Sequence, residues 1–507
     1  MGDENENAEI YVQYCNATDA GISCDPEAGY SIALIRNSTY FEKTVSTLSS
    51  PDDPGDILRV KISVIDSDGV TTAIYPPQFI TLMKHIYRSV GPGNSDLLAS
   101  GQSVGALHVS NSFASFSSPL SENIGIGDVV LYDSNDDGVL DNLAVIYGRL
   151  SSSLFVVKNS LGNLAIPTNT DDSDWAIYRS YTSLYNAERG TINSSISIPM
   201  DNDAYWTVGG GRNILSAGEI WNIVCYGDNY DTTPVQISGW TTSSTNFIKI
   251  FTPTTKAEVG ESQRHNGVWR DSAYTLHITN SVAIVNSVSF VKIEGIQILL
   301  TINVLGSGKG GITNNGQPGG DVSISHNILK SDTTGTTSSF SGITTGSSSN
   351  DTSILRVWDN IVYDFYNKSD PTLAINGIYG GSGIYYYYNN TTYSCNIGFG
   401  FGSGTVTRVL RNNLSYNDIV NSNFKDYSFP GGHVSSNNIS SDATSPNAAF
   451  TLMTVLFNDE STRNLSLNEN DSAALGAGLD LSNDPLNPFL DNIVGTFWDS
   501  SWNIGAH

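Results

Sequence analysis

The amino-acid sequence predicts an all-β protein that is rich in turns. Hydrophobic residues make up 39% of the 507 residues, which is enough for a continuous core. Charged residues make up only 15%, against a usual share of about 25%. Gly, Ser, Thr and Asn fill the difference, and this balance favours strands and turns over helices. A short strand that recurs along the second half of the chain further indicates a solenoid.

The charge balance limits the partners that we expect. The chain has 24 Lys and Arg against 50 Asp and Glu, a formal net charge of −26. A surface of this sign repels phosphate backbones, so we expect cations as small partners and no nucleic acid. No run of residues is long and apolar enough to span a membrane, and the acidic start at Met1 does not resemble a signal peptide. We expect an extracellular protein that either lost an export segment or leaves the cell in a virus particle.

Residues 1–100 predict a small mixed α/β head domain that attaches the protein to its support. Residues 57–65 alternate between apolar and polar side chains, which indicates a strand. One helix is predicted after Pro76-Pro77, because a set of apolar residues follows the helical period of 3.6. This set is Phe79, Ile80, Leu82, Met83, Ile86, Tyr87 and Val90.

The four cysteines allow two kinds of interpretation. Cys15 and Cys24 lie close together in a polar segment, where a disulfide that closes a loop and two separate thiols are equally compatible with the spacing. Cys225 and Cys395 lie among apolar and aromatic residues, so we expect buried free thiols. The chain has no CxxC pair, which argues against structural zinc and redox motifs.

Residues 101–190 predict a β-rich domain with an acidic loop between two strands. The loop has the pattern D-x-N-x-D-G-x-x-D, which places oxygen-bearing side chains at alternate positions and a glycine at the sharp turn. It resembles the calcium loops of dockerins and of FG-GAP repeats. The expected Ca²⁺ ligands are Asp133, Asn135, Asp137, Asp141 and the Val139 carbonyl. The alternative is a solvated turn, because Asp, Asn and Gly also form turns without a metal.

Residues 191–507 contain an internal repeat. Asn followed by a short strand recurs at steps of 23 to 33 residues, at Asn280, Asn303, Asn327, Asn360, Asn390, Asn413, Asn438 and Asn464. Strands that recur in this way stack coil on coil and bury a column of Ile, Val and Leu. These coils resemble those of right-handed parallel β-helix proteins of bacterial and phage surfaces. That resemblance implies a ladder of hydrogen-bonded asparagines at one turn of each coil.

The end of the chain resembles the closing segment of the same family. Trp502-Asn503-Ile504-Gly505-Ala506 is similar to the W-D-I-G-A element of many bacterial β-helix proteins, with Asn503 in place of Asp. The resemblance covers roughly residues 125–507. It is to a fold family whose members have many functions, so it implies a fold and no single activity.

The sequence of the predicted coils gives only weak signals for catalytic or binding residues. If the protein is an enzyme, Arg356, Asp359 and Asp364 are the candidate catalytic residues, although ordinary surface positions explain them equally well. Tyr385 and Tyr387, with Trp358, are candidate platforms for sugar rings; the alternative is that the rings pack between coils. His265, His277 and His326 lie on different coils, and we expect each to be a lone, satisfied histidine.

We therefore predict a non-catalytic structural and recognition protein at a phage or bacterial surface, facing a polysaccharide or cell-surface glycan. The first alternative is an extracellular polysaccharide lyase or glycoside hydrolase of the tailspike type. The second is a self-assembling filament subunit, so a homo-oligomer or a virion assembly is a further possible partner.

Overall fold

The structure of the protein is a computed structural model. It describes residues 9–16, 31–36, 57–65, 71–81, 84–93, 95–200, 203–304, 309–333, 339–345, 352–367, 373–381, 383–402, 407–418, 423–498 and 501–507. The chain forms two compact units, Met1–His85 and Ile86–His507. The division at residues 100 and 190 that the sequence suggests stays a prediction.

The described part of the first unit is an antiparallel sheet of four strands. Their order across the sheet is Ser31–Arg36, Glu9–Asn16, Ile57–Ile65 and Thr71–Thr81. The predicted strand at residues 57–65 is confirmed. The described residues before position 100 contain no helix, so the mixed α/β character predicted for the head is not found in them.

The helix predicted after Pro76-Pro77 is wrong. Residues Thr71–Thr81 and Lys84–Val90 are strands, while Leu82 and Met83 lie outside the described residues. Ile86 and Val90 are four positions apart, and this spacing places two side chains on one face in a strand as well as in a helix. The apolar period alone therefore could not separate the two structures.

Pro76 and Pro77 lie at a β-bulge in the strand Thr71–Thr81. Along the pairing of Thr71–Thr81 with Ile57–Ile65, Pro76 and Pro77 oppose Lys61 alone, two residues against one. Such a bulge leaves a residue outside the ladder of hydrogen bonds, so the missing proline N–H groups are tolerated there.

The second unit begins with an antiparallel sheet. Its strand order is Ala99–Ser100, Trp175–Tyr178, Val129–Tyr132, Asn142–Arg149, Leu154–Lys158, Phe113–Phe116 and Leu107–Ser110. The helices of the described residues are short: Gly101–Val104, Leu184–Arg189, Ile214–Ala217 and the 3₁₀ turn Ala448–Phe450. None of these helices is long and apolar enough to cross a membrane.

Three further sheets make up most of the second unit. Sheet 1 contains Lys84–Val90, Glu219–Cys225, Ile248–Phe251, Val291–Glu294, Asp321–Ser325, Ile354–Trp358, Ile384–Tyr388, Thr407–Arg411 and Val434–Ser436. Sheet 2 contains Tyr230–Asp231, Thr275–Thr279, Gln297–Ile302, Ile328–Thr333, Ile361–Tyr363, Thr391–Tyr393, Leu414–Tyr416 and Ile439–Ser440. Sheet 3 contains Val235–Ile237, Val282–Asn286, Gly310–Asn314, Ser341–Thr345, Asn376–Gly380, Ile397–Phe401 and Lys425–Ser428.

From Glu219 onward the chain visits sheets 1, 2 and 3 in turn and then returns to sheet 1. Each return adds a strand parallel to, and in register with, the strand of the coil before. In sheet 1, for example, Ile293 pairs with Ile324, and Ile324 pairs with Val357. This regular stacking of short parallel strands is consistent with the predicted β-helix solenoid. The right-handed sense of the coil stays a prediction.

The main core lies inside the coils, where one side chain of each coil stacks on the next. One row across sheet 1 is at most 2% exposed and consists of Ile250, Ile293, Ile324, Val357, Tyr387 and Leu410. Burial of each such side chain contributes roughly 1.5–3 kcal/mol relative to leaving it in water. Aromatic rings continue this core in the last coils, where Phe399 stacks on Tyr427 with ring centroids 5.0 Å apart.

An asparagine ladder runs along the corner between sheets 1 and 2. Each side-chain oxygen accepts hydrogen bonds from both the backbone N–H and the amide of the preceding rung; for Asn360 these come from Asn327 at 3.0 and 2.9 Å. Each amide also donates to a carbonyl of sheet 1, as Asn360 does to Ile324 at 2.9 Å. The rungs are Asn327, Asn360, Asn390, Asn413, Asn438 and Asn447.

The ladder differs in part from the predicted series. Asn280 and Asn303 lie between sheets 2 and 3 and bond to each other at 2.7 Å. Asn464 begins a strand of the small antiparallel hairpin Phe457–Asp459 and Asn464–Leu467. The last rung is Asn447, which the repeat did not indicate. Asn followed by a strand marks a turn, and only the register of the coils decides which turn.

The residue before each of the first five ladder asparagines has a left-handed backbone conformation, and Gly295 has it at the same corner one coil earlier. The φ angles lie between 51° and 75° for Gly295, His326, Asp359, Asn389, Asn412 and Asn437. Gly, Asn, Asp and His tolerate this conformation better than other residues, which explains why only these types occur at the corner. We refer to these six positions as the corner column.

The residues after the last coil fold back along the outside of the solenoid. Asn437 donates to the Ala477 carbonyl at 2.8 Å, and Asn412 bonds to both backbone groups of Leu479. The imidazole of His507 lies 3.1 Å from the carbonyl of Gly267, near the first coils. We call residues 471–507 the closing segment. Its described residues contact His326, Asn412 and Asn437 of the corner column and pack on the outward rings of Tyr386 and Tyr388 in sheet 1.

Candidate functional site

A groove of about 380 Å³ lies on the outer face of sheet 2. Its walls include Leu299, Lys330, Asp332, Asp364 and Tyr366. Leu299 and Lys330 are adjacent in register, and they point outward because the residues on either side of them face the core or a covered surface. The groove therefore combines an apolar wall, an aromatic ring and charges of both signs.

The groove lies on the part of sheet 2 that Phe457 does not cover. One row across this face runs through His277, Leu299, Lys330, Tyr363, Tyr393 and Tyr416. Tyr393 and Tyr416 stack with ring centroids 6.0 Å apart, and Phe457 packs edge-on against both rings. Leu299 and Lys330, by contrast, line open space, so the first coils offer the accessible part of this row.

The charged side chains of the groove are partly desolvated. Lys330 Nζ lies 3.7 Å from the centroid of the Trp269 ring, and burial lowers the pKa of this lysine. Burial raises the pKa of Asp364, and this effect outweighs its ion pair with Arg463, in which Nη2 and Oδ1 are 2.7 Å apart. A lysine of lowered pKa and a carboxyl of raised pKa thus line one groove.

The three candidate catalytic residues from the sequence each have a different set of partners. Arg356 donates to both carboxylate oxygens of Asp321, from Nε at 2.9 Å to each. Asp359 is fully buried near His326 and Asp491, and burial followed by the charge of Asp491 raises its pKa well above the usual range. Asp364 lines the groove. Of the three, only Asp364 is therefore placed to meet a ligand in the groove.

The tyrosine platform predicted for sugar rings is wrong. Tyr385 and Tyr387 lie inside the coils, at most 1% exposed, with their ring centroids 5.7 Å apart. Successive tyrosines of this strand face opposite sides of sheet 1, but the closing segment covers the outer rings, and Trp358 packs 6.4 Å from Phe489 of that segment. The two inward tyrosines cannot contact a glycan.

The acidic loop forms between two strands as predicted, Val129–Tyr132 and Asn142–Arg149, which pair in an antiparallel manner. Asp133 Oδ2 accepts the Gly138 N–H at 2.6 Å, and Asp137 accepts the Val139 N–H at 3.0 Å. Asp141 accepts the amide of Asn135 at 3.2 Å. The oxygen-rich side chains therefore hold the tight turn, an arrangement that suits both a calcium loop and a solvated turn.

Two carboxylates that the loop pattern did not include lie beside it. Asp133, Asp172 and Asp174 each have a carboxylate oxygen within 4.8 Å of the others. The N–H of Asn135 and other loop N–H groups outweigh the partial burial of Asp133 and lower its pKa, so the group is ionised. Among residues 95–200 no Lys or Arg forms an ion pair with this trio. Only proximity in space, not the sequence pattern, reveals Asp172 and Asp174.

The cysteine predictions have separate outcomes. Cys225 and Cys395 are buried free thiols, as predicted. The predicted disulfide stays untested, because Cys24 lies outside the described residues and the structure describes only the backbone of Cys15. His265 and His277 are satisfied by hydrogen bonds to the His326 carbonyl at 2.8 Å and to Thr301 at 3.0 Å. His326 is the exception, since both of its ring nitrogens lack a hydrogen-bond partner.

The fold and these sites were compared with known proteins. No protein-family model, no curated protein and no solved structure matches the chain. The groove and the acidic loop therefore carry the functional argument by their own chemistry.

Proposed function

We propose that the protein is a non-catalytic structural and recognition element of a phage or bacterial surface, built on a right-handed parallel β-helix, whose groove on sheet 2 binds an extended extracellular glycan. The observation that carries this proposal is the groove itself. Its row of outward side chains runs across successive coils, so a linear polymer can follow the coils and meet one side chain per coil. The aromatic rings beside the row suit the apolar faces of sugars, and its charges suit hydroxyl and carboxylate groups.

The proposed binding mode assigns separate roles to the groove residues. Lys330 supplies a cation for an acidic sugar, and because its side chain is already partly buried, little hydration must be displaced when the sugar binds. Trp269 and Tyr366 lie near or in the groove and present ring surface. The ion pair with Arg463 keeps the Asp364 carboxylate from repelling the polymer.

The test is retention of the full chain on a panel of acidic and neutral polysaccharides in affinity electrophoresis. We expect retention on at least one acidic polymer, and about tenfold weaker binding for Lys330→Ala, which corresponds to roughly 1.4 kcal/mol. Lys292→Ala is the matched control, because Lys292 packs 4.0 Å from the Phe247 ring on sheet 1 in the same manner. The proposal fails if no polymer is retained, or if both variants weaken binding equally.

A second function is favoured by the shifted pKa values of Lys330 and Asp364. A lysine of lowered pKa can act as the base of a polysaccharide lyase, and a carboxyl of raised pKa can act as the acid of a lyase or a hydrolase. Incubation with the retained polymer, followed by chain length and by the absorbance of unsaturated ends, separates the two functions. Shortening of the polymer that Lys330→Ala abolishes would establish the enzyme in place of the binding protein.

We further propose that the acidic loop binds Ca²⁺ and stiffens the antiparallel sheet. Support comes from the carboxylate trio Asp133, Asp172 and Asp174, which no cation of residues 95–200 neutralises. Titration calorimetry should show Ca²⁺ uptake that Asp137→Asn weakens. Asp136→Asn is the matched control, because it removes the same charge from a position outside the ligand pattern. Equal loss in both variants, or no uptake of Ca²⁺ by the unmodified chain, would contradict the assignment.

A further inference from the structure

A second polar cluster lies under the closing segment, away from the groove and the acidic loop. His326 and Asp359 occupy the corner column on consecutive coils, and Asp491 comes from the closing segment. His326 Nε2 lies 3.5 Å from Asp491 Oδ2 and 3.9 Å from Asp359 Oδ2. One ligand atom of each residue lies within 4.8 Å of the others.

The polar atoms of this cluster are buried and unsatisfied. His326 is 4% exposed and Asp359 is fully buried, and neither ring nitrogen nor either carboxylate oxygen has a hydrogen-bond partner. Asn389, one coil further on, is also fully buried with both amide atoms unpaired. Buried polar groups in folded proteins are almost always paired, so three unsatisfied neighbours in one place require an explanation.

Two other residues of the corner column have hydrogen-bond partners in the closing segment. Asn412 and Asn437 bond to the backbone of the closing segment at Leu479 and Ala477. The same segment passes His326 and Asp359 but offers them the carboxylate of Asp491 instead of backbone groups. Two carboxylates side by side repel each other, and the nearby guanidinium of Arg264 is already paired with Glu294 at 2.6 Å. Among the described residues, no Lys or Arg forms an ion pair with Asp359 or Asp491.

We propose that His326, Asp359 and Asp491 bind a divalent transition-metal cation, with the Asn389 amide oxygen as the fourth ligand. Imidazole and carboxylate together suit Zn²⁺, Co²⁺ or Mn²⁺, whereas Ca²⁺ takes oxygen ligands only. Metal–ligand distances of about 2.0–2.1 Å place tetrahedral ligands about 3.3 Å apart, and the observed separations of 3.5 and 3.9 Å require small adjustments. The metal clamps the closing segment onto two coils.

The experiment uses the metal-depleted full chain and Co²⁺ as the probe, because Co²⁺ in a site of this kind absorbs visible light. We expect one Co²⁺ per chain by absorbance and calorimetry, full displacement by one equivalent of Zn²⁺, and a rise in Tm when Zn²⁺ is added. No visible absorption and no heat would mean that water satisfies these groups, and would overturn the proposal.

Two variants locate the site without breaking the corner. His326→Gly keeps the left-handed turn, since Gly295 occupies the same corner one coil earlier, and Asp491→Asn changes a half-buried residue of the closing segment. Each should weaken Co²⁺ binding by at least about 100-fold, because loss of a residue that only supports a ligand already costs about 10–100-fold. Asn412→Gly, at the same corner but outside the cluster, is the matched control and should bind Co²⁺ normally. Unchanged binding in both site variants would overturn the proposal.

Discussion

The asparagine ladder allows a quantitative prediction for Asn360→Ala. The fully buried Asn360 amide donates to the Ile324 and Trp358 carbonyls and to Asn390, each at 2.9 Å, and its oxygen accepts two bonds from Asn327. The two N–H groups of the amide are shared among three acceptors, so we count four full hydrogen bonds, which at about 1 kcal/mol each give a loss of about 4 kcal/mol. Alanine also leaves the Asn327 N–H without a partner in a region that water does not reach, so we expect little recovery.

The assay is urea denaturation followed by tryptophan fluorescence, with Asn464→Ala as the control. Asn464 belongs to the same sequence repeat, but within the described residues its half-buried side chain bonds only to Ser466, so its loss should cost about 1 kcal/mol. Because a solenoid unfolds with limited cooperativity, the comparison rests on the midpoint of the same transition in both variants. The reasoning is refuted if Asn360→Ala lowers the midpoint no more than Asn464→Ala does.

Three further predictions concern other buried contacts. Arg179→Met leaves the fully buried Asp128 without its partner, since the Asp128 carboxylate lies 2.8 Å from the guanidinium, and should lower the free energy of unfolding by about 3–5 kcal/mol. Arg356→Met removes a more exposed pair and should lower it by under about 1 kcal/mol in the same denaturation assay. Burial raises the pKa of Glu188 to about 7 from 4.5, so the contribution of Glu188 to folding stability is fully present below pH 4.5 and is lost as pH rises through 7. Glu188→Gln should therefore reduce the fall in Tm between pH 5 and pH 8, and an unchanged fall would contradict this. A Cβ at Gly342 would lie 2.6 Å from the Gly377 carbonyl oxygen, so Gly342→Ala should lower stability by about 1–3 kcal/mol, and an unchanged Tm would be inconsistent with the packing.

The repeat of Asn and short strand predicted the stacked coils, because each coil carries its own copy of the signal. The same repeat did not separate Asn280 and Asn303 from the ladder, since both corners use asparagine for the turn and only strand register distinguishes them. The strand at Lys84–Val90 was missed because its apolar spacing also fits a helix and its pairing partner is far away in the chain. Local pattern is therefore informative where a structure repeats and ambiguous where it does not.

The sites depend still more on contacts that no local pattern contains. Leu299 and Lys330 become neighbours only through the register of sheet 2, and Asp172 joins Asp133 only through folding of the loop. We predicted that Tyr385 and Tyr387 are accessible, because the sequence does not show whether a tyrosine of a strand points into the coil or out of it. His326 was predicted to be lone and satisfied because Asp491 lies far along the chain and returns to it only through the closing segment.

The corner column also limits which substitutions the protein can accept over evolutionary time. A backbone with φ between 51° and 75° admits Gly, Asn, Asp and His readily and other residues at a cost. Three of these four types carry donor or ligand atoms, and every coil places its corner residue directly above the last. Neutral drift at these positions therefore exchanges amide, carboxylate and imidazole groups along one line without disturbing the coil. A solenoid of this kind can gain or lose a polar site by single substitutions, because the left-handed turn already restricts the position to residue types that mostly carry polar side chains.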